Sequence, residues 1–143
     1  MAGLTFTPDL YRCGINSVGV VNQKMLLENY TTKSSVFNSW EDEAKLEWGN
    51  LSEAEGKKYA EETSPSLHVK NIKAPVLVLQ GTNDTIVPPE HARELIGKLK
   101  KEGKTYMSMF QAKEGHCVKC RGELATLEYF NIQEEFLEKY LEN

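Results

Sequence analysis

The chain has 143 residues, 40% of them hydrophobic and 27% charged, with a formal net charge of −4, the profile of a globular domain and not of a disordered or fibrous chain. A chain of this length can bury roughly 70% of its unfolded surface, so a core is feasible without metal or disulfide. Lys and Arg are interspersed with Asp and Glu, which leaves no basic stripe for nucleic acid, and the longest apolar runs, Val18 to Val21 and Pro75 to Leu79, fall far short of the ~20 residues of a membrane helix.

No basic segment followed by an apolar one opens the chain, so no secretory signal is readable and a cytoplasmic location is expected. The cysteine count is three, an odd number that argues against a disulfide scaffold. Cys117-Val-Lys-Cys120 is a CxxC, yet only Cys13 and a histidine could complete a four-ligand zinc site around it. The expectation is therefore two free thiols near a loop, with no metal and no cofactor.

Taken in chain order, Ala2 to Phe6 reads as the last turn of a helix, followed by a turn at Thr7-Pro-Asp9. Leu10 to Val21, carrying Ile15, Val18, Val20 and Val21, reads as a short buried strand. From Gln23 to Thr63 the chain is polar and Glu-rich and holds Trp40 and Trp48; it reads as a helical excursion over the surface, with a helix start at Ser52-Glu-Ala-Glu55 and a stop at Ser64-Pro65. Leu67 to Ile72 then leads into Pro75-Val-Leu-Val-Leu-Gln-Gly81, a continuous apolar run bounded by Pro and Gly that suits a central parallel strand buried on both faces.

Pro88 to Gly103 reads as an amphipathic helix, with proline in the first turn, Ala92, Leu95, Ile96 and Leu99 at helical spacing, and glycine at the end. Thr105 to Gln111 alternates as a strand. Gly122 to Leu141, with Leu124, Leu127, Phe130, Phe136, Leu137, Tyr140 and Leu141, closes the chain as a second amphipathic helix. Strands alternating with helices imply an α/β fold with a mostly parallel sheet flanked by helices.

In open parallel sheets, reactive groups sit on loops that leave the carboxyl ends of strands. Two such loops carry suitable residues: Gly81-Thr-Asn-Asp84-Thr-Ile-Val-Pro88 and Ala112-Lys-Glu-Gly-His116. If the strands are neighbours, Asp84 can accept from one imidazole nitrogen of His116 and fix its tautomer, leaving the other nitrogen as a base. Gly81 is expected to allow a tight turn, and Gly115 a close backbone approach beside the histidine. An Asp in such a turn also caps its own backbone, and Gly-His steps are common on loops. It is the conjunction of strand, Asp loop, helix, strand and His loop that points to chemistry.

At these residues the chain resembles the prolyl oligopeptidase family of serine peptidases, near its acylaminoacyl-peptidase and dipeptidyl-peptidase branches. The resemblance is carried by Ser64-Pro-Ser-Leu-His-Val69, by Ile72 to Pro88, and by Glu114-Gly-His116, and runs from about Ala2 to the C-terminal helix. It implies one partial domain over residues 1–143, the C-terminal half of an α/β-hydrolase fold, with Asp84 in the family's Gly-x-x-Asp-x-x-Val segment and His116 in its Gly-His step. The implied activity is cleavage of short peptides by a serine nucleophile.

The family's serine lies in a Gly-x-Ser-x-Gly-Gly elbow ahead of the segment that Ala2 to Val21 resembles, so the chain is expected to lack the nucleophile and to be inactive alone. Ser17, in Gly14-Ile-Asn-Ser-Val-Gly19, has the wrong spacing for an elbow and precedes β-branched residues where an elbow needs a helix; it is expected to be a strand-end residue. Cys117 follows the histidine where the family usually has a small residue. The expectation from a different class is a non-catalytic module whose sheet edge pairs with another copy or a partner.

Overall fold

The run Val76-Leu-Val-Leu79 has no polar residue to turn toward water, which requires cover on both faces. A computed structural model of the chain, describing residues 1–33, 50, 53–117 and 123–141, shows that cover. The elements are α1 (Ala2–Phe6), β1 (Gly14–Ser17), α2 (Gln23–Lys33), α3 (Ala54–Thr63), a 3-10 helix (Pro65–Asn71), β2 (Val76–Gly81), α4 (Glu90–Lys101), β3 (Tyr106–Gln111) and α5 (Glu123–Tyr140). The three strands form one sheet in the order β1-β2-β3. Both pairings are parallel, with Gly14 opposite Val76 and Val76 opposite Tyr106.

Every residue of β2 is buried. Val76 and Val78 face a core that includes Val69, Ile72, Leu95 and Leu99 on the α4 side. Leu77 and Leu79 face Phe136 of α5, with Met107, Met109 and Tyr129 packed around them. By the two-residue period of a strand, Gln80 belongs to the α4 face with Val76 and Val78.

Helix α4 begins after Pro88-Pro89 and ends in a Schellman motif. Lys104 N–H reaches Leu99 O at 2.9 Å and Gly103 N–H reaches Lys100 O at 3.2 Å, with Gly103 in the left-handed region at φ +63°, as such a stop requires. Glu94, on α4, accepts from Ser66 Oγ and Lys98 Nζ at 2.7 Å and from Asn22 Nδ2 at 3.1 Å. Burial alone would push its carboxyl up, but these bonds outweigh it and hold the group below its ordinary value. The cluster ties the segment after β1 and the 3-10 helix to α4.

Several sequence expectations change here. Strand β1 is only Gly14–Ser17, because Val18 adopts φ +46° and leaves the extended region, a conformation that costs a β-branched residue about 1–3 kcal/mol. Within it Asn16 is buried and Ile15 is 37% exposed, the reverse of what polarity suggests. Helix α3 starts at Ala54 with Glu53 as N-cap and no side-chain cap bond; Ser52, Trp40 and Trp48 lie outside the described residues. Strand β3 does not alternate: five of its six positions are half-buried. On α5, Leu124, Leu127 and Phe130 are 72%, 58% and 51% exposed. Phe136, Leu137 and Tyr140 do pack on the sheet as expected, joined by Tyr129 and Ile132.

Candidate active site

Strands β2 and β3 run side by side in the same direction, so the loops that follow them leave from one end of the sheet. Three bonds join those loops: Thr82 N–H to Gln111 O at 3.0 Å, Asn83 N–H to Glu114 O at 2.8 Å, and Lys113 N–H to Thr82 Oγ1 at 2.9 Å. Lys113 sits at φ +65° to make the turn after β3. The approach is close enough that a Cβ at Gly81 would lie 2.5 Å from Glu114 O and 2.8 Å from Glu114 C, and against Gly115 O as well. Glycine at 81 is required by this contact between the loops and not by a tight turn. Gly115 has room to spare, since a Cβ there would meet nothing nearer than Asn83 O at 3.9 Å.

Asp84 lies between these loops with its side chain fully buried. Its oxygens divide the work. Oδ1 accepts Ile86 N–H and Val87 N–H, each at 2.9 Å, which closes the turn in the manner of an Asx motif. Oδ2 accepts from Gln80 Nε2 at 3.1 Å and meets His116 Nδ1 at 3.0 Å. The turn-capping role and the contact with histidine therefore coexist on separate oxygens. A buried carboxylate is tolerable only when donors surround it, and here there are four.

His116 differs from its partner in exposure: its side chain is 45% exposed where that of Asp84 is fully covered. A carboxylate only accepts, so Nδ1 is the ring nitrogen that carries the proton in this contact. Nε2 takes no hydrogen bond among the described residues. The arrangement presents a basic nitrogen at the carboxyl end of the sheet, oriented from behind by a buried acid.

Ser17 does not join this pair. It ends β1, with β2 standing between it and β3, and its hydroxyl is 3.2 Å from that of Tyr129. Cys117 is disulfide-bonded, which corrects the expectation of a free thiol beside the histidine; Cys120 lies outside the described residues. Cys13 is free and half-buried, packed against the core on the α5 side. No cluster of three or more metal-ligating side chains occurs among the described residues, and none of their helices is long and apolar enough to cross a membrane.

Two further polar residues, Gln80 and His91, are buried beside the site. Gln80 ends an otherwise apolar strand four residues before Asp84, and a lone polar residue in such a run is the signal that marks it. His91 lies on the apolar face of α4, fully buried, with Nδ1 accepting Val21 N–H at 3.4 Å. Burial holds its pKa below the ordinary value, against the opposing pull of Glu94, Glu90 and Asp84.

The chain is 30% identical over 116 residues to dipeptidyl aminopeptidase BIII of Pseudoxanthomonas mexicana, a match covering 81% of this chain and 16% of that protein. It is 26% identical over 141 residues to dipeptidyl peptidase family member 6 of Caenorhabditis elegans, covering 99% of this chain and 18% of that protein. It thus spans less than a fifth of the length of either relative. The Pyrococcus horikoshii acylaminoacyl peptidase superposes with a TM-score of 0.76 at 21% identity, over 97% of this chain and 22% of that one. The Porphyromonas gingivalis dipeptidyl peptidase 4 superposes at 0.75 and 12% identity, over 96% and 17%. The fold is a piece of an α/β-hydrolase. The family model for the prolyl oligopeptidase family matches residues 1–143, and the chain belongs to that family.

Proposed function

We propose that this chain is the acid- and base-bearing part of a serine peptidase that cleaves short peptides near their N-termini. The observation that carries the reading is the 3.0 Å contact from His116 Nδ1 to the buried Asp84 Oδ2, made across the carboxyl ends of adjacent parallel strands. In this reading Nε2 of His116 takes the proton of a serine hydroxyl as it attacks the peptide carbonyl, then returns it to the leaving amine. Asp84 holds the ring in the required tautomer and stabilises the imidazolium that forms between the two steps. The relatives' names, dipeptidyl aminopeptidase and acylaminoacyl peptidase, support a substrate with a short or blocked N-terminal portion. No Gly-x-Ser-x-Gly stretch occurs among the 143 residues, so the nucleophile is assigned to a segment outside them.

The test uses chromogenic dipeptidyl and acyl-aminoacyl anilides. The 143-residue chain alone should release no chromophore. Joined to, or co-expressed with, a serine-bearing segment from a relative, it should gain turnover that Asp84→Asn and His116→Ala each reduce by about 10³–10⁴-fold. Turnover by the chain alone, or full turnover of the His116→Ala complex, would sink the assignment.

A second reading, self-association, is favoured by β1. Among the described residues this strand has β2 on one side only and the amide nitrogen of the buried Asn16 has no partner, while Ile15 is 37% exposed. An open edge of this kind accepts another strand. Sedimentation should show dimers that grow with concentration, and a strict monomer at high concentration would remove this reading.

A further inference from the structure

The amide of Gln80 is fully buried at the last position but one of a strand that is otherwise apolar until its closing glycine. Its Nε2 lies 3.1 Å from Asp84 Oδ2, 3.2 Å from Val87 O and 3.3 Å from Gly81 O. All three neighbours only accept, which fixes the orientation of the amide: the nitrogen faces them and the oxygen faces away. That oxygen, Oε1, is buried with no partner among the described residues. An orphaned buried acceptor destabilises the fold, so packing alone does not account for a glutamine here. An apolar side chain of the same length would fill the space without that penalty.

What the glutamine supplies is its N–H groups, aimed at both ends of the Asp loop. The bond to Val87 O closes the turn at its far end. The bond to Asp84 reaches Oδ2, the same oxygen that meets His116, while Oδ1 is already held by Ile86 and Val87. With Gln80 present the carboxylate is held at both oxygens from within the protein. Without it, the partly exposed imidazole is the only group left on Oδ2. We propose that Gln80 is a positioning residue for the acid–base pair: it locks Asp84 Oδ2 in the plane that His116 needs, and so sets the imidazole tautomer. The inference rests on the reading of Asp84 and His116 given above and names a further residue that this reading requires.

The experiment is long-range ¹H–¹⁵N NMR of His116 in the full chain at alkaline pH, which reports the ratio of the Nδ1–H to the Nε2–H tautomer and needs no nucleophile. Gln80→Met keeps the length of the side chain and removes the donor, and Gln80→Leu is a second variant should one of them fold poorly. Val78→Ala, at a buried position on the same face whose side chain has no hydrogen bond to give Asp84, controls for general loosening. The Nδ1–H ratio should fall about tenfold in either Gln80 variant, the factor expected for loss of about one charge-assisted hydrogen bond, and stay at the wild-type value in Val78→Ala. A folded Gln80→Met or Gln80→Leu protein with the wild-type ratio overturns the proposal. Asp84→Asn separates the two levels: if it too leaves the ratio unchanged, the pairing of Asp84 with His116 is at fault, whereas if it shifts the ratio and the Gln80 variants do not, only the role of Gln80 fails.

Discussion

Substituting alanine for Gly81 tests whether the contact between the two loops holds the site together. The added Cβ would stand 2.5 Å from Glu114 O and 2.8 Å from Glu114 C. Carbon and its neighbours rest at about 3.5 Å, so one loop must retreat by roughly 1 Å. Every atom struck is backbone, and no side-chain rotation can relieve the clash. The loop that would move carries His116 and is joined to the Asp loop by bonds of 2.8 and 3.0 Å. A retreat of that size takes the 3.0 Å contact between His116 and Asp84 to about 4 Å, beyond hydrogen-bond range.

Overpacking of this kind costs about 1–3 kcal/mol, and each strained loop bond adds about 1 kcal/mol. The natural comparison is Gly115→Ala, whose Cβ would have its nearest neighbour at 3.9 Å and whose φ is not in the left-handed region. Removing chain entropy from the unfolded state there should stabilise by about 0.4–1 kcal/mol. Urea unfolding of the two variants should therefore differ by at least about 2 kcal/mol, with loss of the His116 Nδ1–H signal in Gly81→Ala alone. Equal midpoints, or an intact Nδ1–H signal in Gly81→Ala, would show that the loops do not depend on this contact.

Two further outcomes follow from the buried histidine and the helix stop. Because burial lowers the pKa of His91, the unfolded chain binds more protons than the native one below the unfolded value of about 6.5. Stability should therefore decline as pH falls from about 6.5 toward the lower native value, and protonation also sets a ring N–H against Val21 N–H. Urea midpoints measured between pH 8 and 5 should show this slope in the wild type and a flatter profile in His91→Leu; parallel profiles would exclude His91 as the source. Gly103→Ala, at φ +63°, should lower stability by about 1–2 kcal/mol without altering the His116 tautomer, as read by thermal unfolding and the same NMR spectrum.

The parts of this fold that were legible in the sequence are those governed by one dominant requirement. Strand β2 was readable because an unbroken apolar run between Pro75 and Gly81 has only one comfortable environment. Helix α4 was readable from its periodicity, its prolines and Gly103. The Asp84 and His116 loops were legible because strand ends in a parallel sheet carry the reactive groups. The misread parts depend on what lies alongside. Val18 looks like a strand residue until its φ of +46° is seen. Leu124, Leu127 and Phe130 look like core, yet face outward because the sheet meets the helix at Tyr129 and Phe136. Gly81 and Gly115 look alike in sequence, and only the distance between the loops separates the one that is needed from the one that is not. Gln80 looks like the tail of an apolar strand because its partners are two loop carbonyls and a carboxylate that periodicity does not address.

Among the described residues, the hydrogen bonds that set Asp84 against His116 are local to the β2–α4–β3 unit. The Asx turn, the Gln80 amide, the bonds between the loops and the Gly81 contact lie between residues 80 and 116. Among the described residues, β1, α1 and α2 make none of the pair's hydrogen bonds; β1 pairs along the edge of β2, and Leu4 of α1 joins the core that holds Val76 and Val78. The two partners are also unequal. Asp84 is held by three donors besides the histidine and has no freedom to follow it, whereas His116 stands on a partly exposed loop. The direction of control therefore runs from the sheet interior outward: Gln80 and the turn fix the carboxylate, the carboxylate fixes the ring, and the ring presents Nε2 at the open end of the sheet. A substitution on the solvent side of His116 should then perturb only the histidine, while one beneath Asp84 should perturb both.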